Sequence, residues 1–306
     1  FLRALYQAEF PAGRAAGALL EPHPLHPRDV LEQPEQRRRR RDELAAGLFL
    51  GETAESHLDG TAVFLDECIE LGTFVVQQHI ELAAVPGGVP VPAVIGSGDT
   101  CLVLAWVEPG PPSAAAAEQL GRALARTHRA GMAAFGNADG DGWIATLPLP
   151  GGPWTAWVDF WAEGRVRPFL RAATARGAVR ADDAGDVERV LRVLPELAGP
   201  SEPPALVHGD LWKGNVLWAS DGFTRVIDPA VHGGHRETDL AMLALFGLPH
   251  LDRLLGAYQD QWPLAPGWQA RVALHQLHPV LVHAVLFGGT YGSAAGRLAR
   301  QLLDSS

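Results

Sequence analysis

The chain has 306 residues, a net charge of −10, 47% hydrophobic residues and 20% charged residues. These values are ordinary for a soluble globular protein of one large domain or two smaller ones. They argue against sequence-independent binding of nucleic acid, which requires clustered Lys and Arg. No apolar run reaches the roughly 18–20 residues that span a bilayer. With two cysteines and no recognisable secretion signal, we expect a cytoplasmic protein that acts on neither membranes nor nucleic acid.

The first part of the chain shows few clear patterns. Proline recurs through residues 1–60, and Arg37–Arg41 form a run of like charges that is typical of a solvated face or a disordered arm. The apolar stretches Ala62–Leu65 and Thr73–Val76 are too short for periodicity to distinguish strand from helix. We interpret Thr73–Gln78 as a strand.

Clearer patterns begin near Pro86. Cys101–Val107 is an uninterrupted apolar run that predicts a buried strand. Glu108–Pro112 then breaks regular structure and predicts a linker. Ser113 is a suitable N-cap for the helix that follows.

The rest of the chain is dominated by helical periodicity. In the last of the periodic segments the apolar residues form a broad stripe, and Pro279 predicts a kink in it. The predicted helices lie around residues 154–176, 183–197, 238–262 and 269–288.

Two short apolar runs between these helices carry three polar residues at an informative spacing. Asp210 is followed by Asn215 five residues later and by Asp228 thirteen residues after that. Phosphoryl transfer from a nucleotide uses one carboxylate beside the acceptor hydroxyl, and an amide oxygen and a second carboxylate as Mg²⁺ ligands. The structural alternative is a strand–turn–strand, which also uses Asp, Asn and Gly in its turns.

The surrounding residues carry a resemblance to a known family. His208-Gly209-Asp210-Leu211-Trp212-x-Gly214-Asn215 and Gly234-His235-Arg236-Glu237-x-Asp239-Leu240-Ala241-Met242 resemble the fructosamine (ketosamine) kinase family. The resemblance covers roughly residues 89–306. It implies an α+β, two-lobed, protein-kinase-like fold of the aminoglycoside phosphotransferase type. The small N-terminal lobe would then be residues 1–107, with 1–88 atypical and degraded or partly disordered, and the helical catalytic lobe residues 108–306.

The resemblance also implies an activity. Members of this family use ATP and Mg²⁺ to phosphorylate a sugar hydroxyl of a ketosamine, which is an adduct of a reducing sugar with an amine. The phosphorylated adduct is unstable, so the family repairs glycated molecules. We therefore expect a small-molecule or protein-bound ketosamine as the partner. Another small-molecule kinase of the same fold is a weaker alternative, and the sequence does not indicate an oligomeric state.

Carried over by position, Asp210 resembles the catalytic base, and Asn215 and Asp228 resemble the Mg²⁺ ligands. Ala105, Trp106 and Val107 match the inter-lobe segment whose backbone binds adenine. Asp239 matches an aspartate that braces the catalytic loop through backbone hydrogen bonds. Further residues are expected on the supporting or substrate side, some with a structural or surface role as the alternative: His208, Trp212, His235, Arg236, Glu237 and Trp268.

The sequence departs from the family in its N-terminal part. The family pattern includes a glycine-rich loop and a strand lysine that neutralises phosphate charge, but residues 1–88 contain no lysine, and the only lysine of the chain is Lys213. Gln77, in the predicted strand, cannot supply the charge. Three explanations stay open: an arginine substitutes for the lysine, the chain is a catalytically impaired pseudokinase, or the first 85 or so residues come from a disrupted gene. Lys213 could reach a phosphate or be a solvated turn residue.

Overall fold

The computed structural model describes residues 62–66, 71–97 and 101–304, which fall within one compact unit, Ala62–Ser306. The arginine run and the other features predicted for residues 1–61 lie outside the described residues. No helix in the described ranges combines the length and apolarity needed to cross a membrane.

The described chain alternates short strands with longer helices. The strands are β1 (Ala62–Asp66), β2 (Val94–Ser97), β3 (Cys101–Ala105), β4 (Gly142–Ile144), β5 (Leu147–Leu149), β6 (Ala205–Val207), β7 (Val216–Trp218), β8 (Thr224–Val226) and β9 (His232–Gly234). The helices are α1 (Leu71–Ala83), α2 (Ala114–Ala130), α3 (Trp157–Asp159), α4 (Arg167–Ala175), α5 (Ala181–Arg192), α6 (Leu194–Leu197), α7 (Glu237–Phe246), α8 (Leu251–Gln261), α9 (Trp268–Phe287) and α10 (Tyr291–Asp304).

The N-terminal elements form a three-stranded antiparallel sheet in the order β1-β3-β2, with α1 against β2 and β3. The strand predicted for Thr73–Gln78 is wrong, because this segment belongs to α1. Gln78, His79 and Leu82 are buried while Ile80 is exposed, which is the spacing of one helical face. The apolar run Thr73–Val76 was too short to reveal that period.

The predicted linker is anchored to the catalytic half of the protein. The Gly110 N–H donates to the Trp218 carbonyl at 2.8 Å, and the Ser220 N–H donates to the Glu108 carbonyl at 2.8 Å. A Cβ atom at Gly110 would lie 2.6 Å from the Ala219 carbonyl oxygen, so glycine allows this approach. The chain therefore passes from β3 directly onto the β7–β8 hairpin.

Helix α2 is central to the core. Ser113 caps it as predicted, accepting from the Ala116 N–H at 3.2 Å. α2 packs against α8 and β6, and its residues Leu120 and Leu124 are buried in one apolar cluster with Leu206 and Leu254. This packing holds β6 and the loop that follows it against a rigid helix.

The other helical predictions are confirmed in position, and the one at 269–288 is also confirmed as a single helix. The segment predicted at 154–176 contains α3, a π-helical stretch over Phe160–Val166 and α4. The pattern at 238–262 divides into α7 and α8, because Gly247 ends α7 with a φ of +72°. Pro279 lies inside the continuous α9, and α10 was not predicted.

Candidate active site

Two antiparallel strand pairs, β6 with β9 and β7 with β8, hold the loop His208–Asn215, which we call the catalytic loop. The Ala230 N–H donates to the His208 carbonyl at 2.8 Å. Gly209 has a φ of +83°, and a Cβ atom there would lie 2.1 Å from the Ala230 carbonyl oxygen. Only glycine fits this turn, so the Gly of the His-Gly-Asp motif is a backbone requirement.

Asp210 and Asn215 are joined directly across the catalytic loop. The Asn215 Nδ2 donates to the Asp210 carbonyl at 2.8 Å and to Asp210 Oδ2 at 3.3 Å. The Asp210 side chain is only 8% exposed. Because both bonds use the amide nitrogen of Asn215, its amide oxygen is the atom that can ligate a cation.

The β7–β8 hairpin brings Asp228 back to the same loop. Val216 pairs with Val226, so Asn215 and Ile227 face each other, and the Ile227 N–H donates to the Asn215 carbonyl at 3.1 Å. The His208 Nε2 donates to the Ile227 carbonyl at 3.1 Å. The residue before Asp228 is thus bound from both ends of the catalytic loop, which explains how a thirteen-residue separation becomes a local cluster.

Asp228 has a strained backbone conformation, and its carboxyl group is buried where the charged form is disfavoured. Its φ is +54°, a left-handed conformation that non-glycine residues rarely adopt. Burial raises the pKa of the Asp228 carboxyl to about 6. Backbone strain and a desolvated carboxylate together are typical of functional sites.

His208 is a structural member of the loop in its neutral form. Burial lowers its pKa to about 4, although the charge of Asp239 opposes this shift. Its Nε2 donates to Ile227, and its Nδ1 accepts from the Asp210 N–H at 3.3 Å. Both ring nitrogens are therefore used within the loop.

Asp239, at the start of α7, binds the catalytic loop from behind. Its Oδ2 accepts from the His208 N–H at 2.7 Å and its Oδ1 from the Gly209 N–H at 3.0 Å. The Nε2 of His128, on α2, lies 3.1 Å from the same Oδ2. Burial raises the pKa of Asp239, but the hydrogen bonds and charges around it prevail, and the pKa falls below its ordinary value.

Arg236 is buried, which excludes the alternative of a surface charge at this helix start. Its Nε and Nη2 donate to the two oxygens of Glu202 at 2.6 and 2.7 Å. The guanidinium also lies 4.0 Å from the centre of the Trp262 ring. The partner lies 34 residues away in sequence, so the pair becomes visible only in the folded structure.

His235 and Glu237 are buried as well, which again excludes the surface alternative. Arg271 donates to both oxygens of Glu237, at 2.9 and 2.5 Å, and the His275 Nε2 lies 3.4 Å from Glu237 Oε2. Burial raises the pKa of Glu237, but the bonds to His275 and Arg271 outweigh it and bring the pKa to about 2. His235, Glu237 and His275 each offer one atom that could ligate a metal ion, and these three atoms lie within 4.8 Å of one another. Because Arg271 already supplies the cation for Glu237, we assign this trio to an ion-pair network.

The two predicted substrate-side tryptophans lie in different environments. Trp212 belongs to the catalytic loop, packs over Gly214 and meets the Phe246 ring edge-on at 5.7 Å between centroids. Trp268 begins α9 and packs, partly buried, against the apolar core. The described contacts therefore connect Trp212 with the loop and Trp268 with the core.

The expected adenine segment follows the last strand of the N-terminal sheet. Ala105 ends β3, and its N–H donates to the Ala93 carbonyl at 2.8 Å. Trp106 is 40% exposed and donates from Nε1 to Glu108 at 2.9 Å. Val107 is half-buried and leads into the linker that binds the β7–β8 hairpin.

Sequence reasoning missed several residues that bind the predicted site residues. His128, Glu202, Tyr258 and Arg271 act through contacts that span 34 to 130 positions. Their one sequence signal is weak: His128 falls on the apolar face of α2, where a polar ring needs a partner.

Comparison with known proteins agrees with this geometry. The sequence profile of the family described as fructosamine kinase matches residues 62–305. A probable ketoamine kinase of Synechocystis is 39% identical over 220 residues, which are 70% of this chain and 72% of that protein. A probable ketoamine kinase of Lactiplantibacillus plantarum is 36% identical over 215 residues, 69% of this chain and 75% of that protein.

Solved structures show the same fold. The crystal structure of a putative fructosamine-3-kinase from Thermobifida fusca has a TM-score of 0.76 and 44% identity, covering 83% of this chain and 93% of that chain. A choline kinase from Streptococcus pneumoniae, at 14% identity and a TM-score of 0.56, covers 87% of this chain and 98% of that chain and shares the fold alone. The α+β, protein-kinase-like fold is confirmed, and relatives of this fold use ATP and a divalent metal in general. The chain belongs to the fructosamine kinase family, and it is an ATP-dependent small-molecule kinase.

Proposed function

We propose that the protein phosphorylates a sugar hydroxyl of a fructosamine- or ribulosamine-type ketosamine and so acts in deglycation. The observation that carries this proposal is the joined arrangement of Asp210, Asn215 and Asp228. Asn215 binds the Asp210 side chain with its amide nitrogen and the Ile227 N–H with its backbone carbonyl, so one residue connects the Asp210 carboxylate with the backbone directly before Asp228. A phosphotransferase requires such a fixed distance between base and metal ligands.

Asp210 is the proposed base. It would accept the proton of the acceptor hydroxyl as the hydroxyl oxygen bonds to the γ-phosphorus and the bond to ADP breaks. The hydrogen bond from Asn215 to Asp210 Oδ2 orients this carboxylate. Trp212, in the same loop, is the proposed stacking surface for the acceptor.

The amide oxygen of Asn215 and the carboxylate of Asp228 fit Mg²⁺, which prefers hard oxygen ligands. Two observations support this fit. The amide nitrogen of Asn215 already donates to Asp210, which leaves the amide oxygen to face a cation, and a cation would stabilise the ionised form of the buried Asp228 carboxylate. When bound, the ion would neutralise charge on the phosphates. These two residues would hold it in place.

The remaining assignments follow the two-lobed architecture. We place the boundary between the lobes at residues 107 and 108, where β3 passes into the anchored linker. The backbone of Ala105, Trp106 and Val107 is the proposed adenine contact. His208 and Asp239 are the proposed supports of the loop, and the buried residues His235, Arg236 and Glu237 are proposed to support them. Trp268 is assigned to core packing. The proposed location is the cytoplasm, which the low cysteine content favours.

An ADP-release assay tests this function. Wild-type protein with MgATP is given small fructosamines and ribulosamines, with choline and an aminoglycoside as competing acceptor classes. We expect turnover with a ketosamine, and a loss of about 10³-fold or more in the Asp210→Asn variant. Asp260→Asn, which changes an exposed aspartate on α8, is the matched control.

The outcomes separate the alternatives. Turnover with choline or the aminoglycoside alone would place the protein in another substrate class. Stabilisation by MgATP without turnover of any acceptor would contradict the proposed activity and support a catalytically silent kinase fold, which the absence of lysine from residues 1–88 also motivates.

A further inference from the structure

A chain of polar side chains leads from α8 to the catalytic loop. The hydroxyl of Tyr258, which is fully buried, lies 2.8 Å from His128 Nδ1. The other ring nitrogen of His128 lies 3.1 Å from Asp239 Oδ2. Asp239 in turn accepts the backbone N–H groups of His208 and Gly209, directly before Asp210. Tyr258 is thus connected to the proposed base through two side chains and the backbone.

The direction of the hydrogen bonds along this chain follows from its inner end. A carboxylate oxygen can only accept, so the His128 Nε2 that lies 3.1 Å from Asp239 Oδ2 donates to it. In a neutral imidazole with the proton on Nε2, the other ring nitrogen is an acceptor. The Tyr258 hydroxyl, 2.8 Å away, therefore donates to His128 Nδ1.

The donation from Tyr258 favours the same tautomer of His128. With Nδ1 as the acceptor, the ring proton is on Nε2, which donates to Asp239. The opposite tautomer would point the Nε2 lone pair at a buried carboxylate, which is repulsive. Tyr258 and Asp239 thus contact the two nitrogens of the histidine ring from opposite sides.

We propose that Tyr258 is a positioning residue for phosphoryl transfer: its hydroxyl fixes the Nε2–H tautomer of His128, which holds Asp239 on the backbone of the catalytic loop. The inference rests on the proposed role of Asp210. It assigns a kinetic function to a buried residue of α8 that acts on the catalytic loop through His128 and Asp239.

The first test is a double-mutant cycle in kcat. Tyr258→Phe removes the hydroxyl and keeps the ring, which meets His128 edge-on at 5.6 Å between centroids. We expect kcat to fall about tenfold, with KM for MgATP and for the ketosamine within about twofold. In a His128→Gln background, where Nε2 can still donate to Asp239, Tyr258→Phe should have no further effect, because the tyrosine acts through the histidine.

Tyr291→Phe, on α10, is the matched control for the loss of a tyrosine hydroxyl, and its kcat should stay within about twofold of wild type. Equal kcat values for the Tyr258 and Tyr291 variants would overturn the proposal. Additive losses in the cycle would also overturn it, because they would mean that Tyr258 does not act through His128.

The second test requires neither catalytic activity nor a substituted variant. Histidine side-chain ¹H–¹⁵N correlation spectra of the wild-type protein report the tautomer of His128. We expect the proton on Nε2. A proton on Nδ1, or on both nitrogens at neutral pH, would refute the proposal even if no ketosamine were turned over, which keeps its failure distinct from failure of the proposed function.

Discussion

On the two sides of the catalytic loop, the pKa values of buried carboxyl groups are shifted in opposite directions. Behind the loop, Asp239 and Glu237 accept several hydrogen bonds each, and their pKa values are lowered despite burial. On the front, burial raises the pKa of Asp228 to about 6. The same desolvation penalty acts on all three groups, so the difference comes from the donors that surround them.

This difference distinguishes carboxylates that stabilise the fold from the carboxylate that we propose as a metal ligand. The rear carboxylates are satisfied by the protein itself: Asp239 accepts from the backbone of His208 and Gly209, and Glu237 accepts from Arg271. Asp228, on the front, has a strained backbone conformation. Burial destabilises its ionised form, and a bound cation would stabilise that form. Four substitutions test this division, from the largest expected effect to the smallest.

Asp239→Asn should give the largest effect, a loss of about 3–5 kcal/mol in the free energy of unfolding. The amide replaces one accepting oxygen with a donor that would face a backbone N–H or the His128 Nε2. Denaturant unfolding measures the change, with Asp260→Asn as the control for an exposed aspartate. A loss below about 1 kcal/mol would show that the rear network does not hold the loop.

Glu237→Gln should cost about 3 kcal/mol at neutral pH, because it leaves Arg271 without its charge partner. The Glu237 pKa is about 2 in the folded protein and near 4.5 when unfolded, so its contribution is present above about pH 5 and is lost as the pH falls toward 2. Unfolding curves between pH 2 and 7 should therefore converge for wild type and variant at low pH. Parallel curves would contradict the ion-pair assignment.

Asp228→Asn should raise stability by about 1–3 kcal/mol at pH 7.5 without divalent cations, because the variant does not bury an ionised carboxylate. The raised pKa means that wild type regains this energy as the pH falls from about 6 toward 4. Thermal unfolding across that range measures the gain, which should vanish near pH 4. Kinase activity should be lost in the same variant, and a stable variant with full activity would exclude Asp228 as a metal ligand.

Lys213→Ala should give the smallest effect, with kcat within about threefold and a change in unfolding free energy below about 0.5 kcal/mol. Lys213 is partly exposed in the turn after Trp212, outside the hydrogen bonds that join Asp210, Asn215 and Asp228. Steady-state kinetics with varied MgATP measure the effect. A rise in KM for MgATP of more than about tenfold would instead show that this lysine reaches a phosphate.

The sequence predicted the parts of the site that are local and missed those that are distant. Asp210, Asn215 and Asp228 follow a fixed spacing, and the loop turn requires Gly209, so a linear pattern reveals them. His128 and Tyr258 are 130 positions apart, and Arg236 meets Glu202 across 34, so no window of sequence contains either pair. The fold was predicted where periodicity is long, as in α9, whereas Thr73–Gln78 was assigned to a strand because a helix of mixed apolar and polar residues gives a weak signal there.

The most direct test of the account is a ³¹P spectrum of a reaction containing the protein, MgATP and a small fructosamine. We predict a new phosphomonoester resonance that grows with ADP at equal stoichiometry, is absent with Asp210→Asn and persists with Asp260→Asn. ADP formation without a phosphomonoester, or an unchanged product yield from Asp210→Asn, would contradict the assignment of ketosamine phosphorylation to this loop.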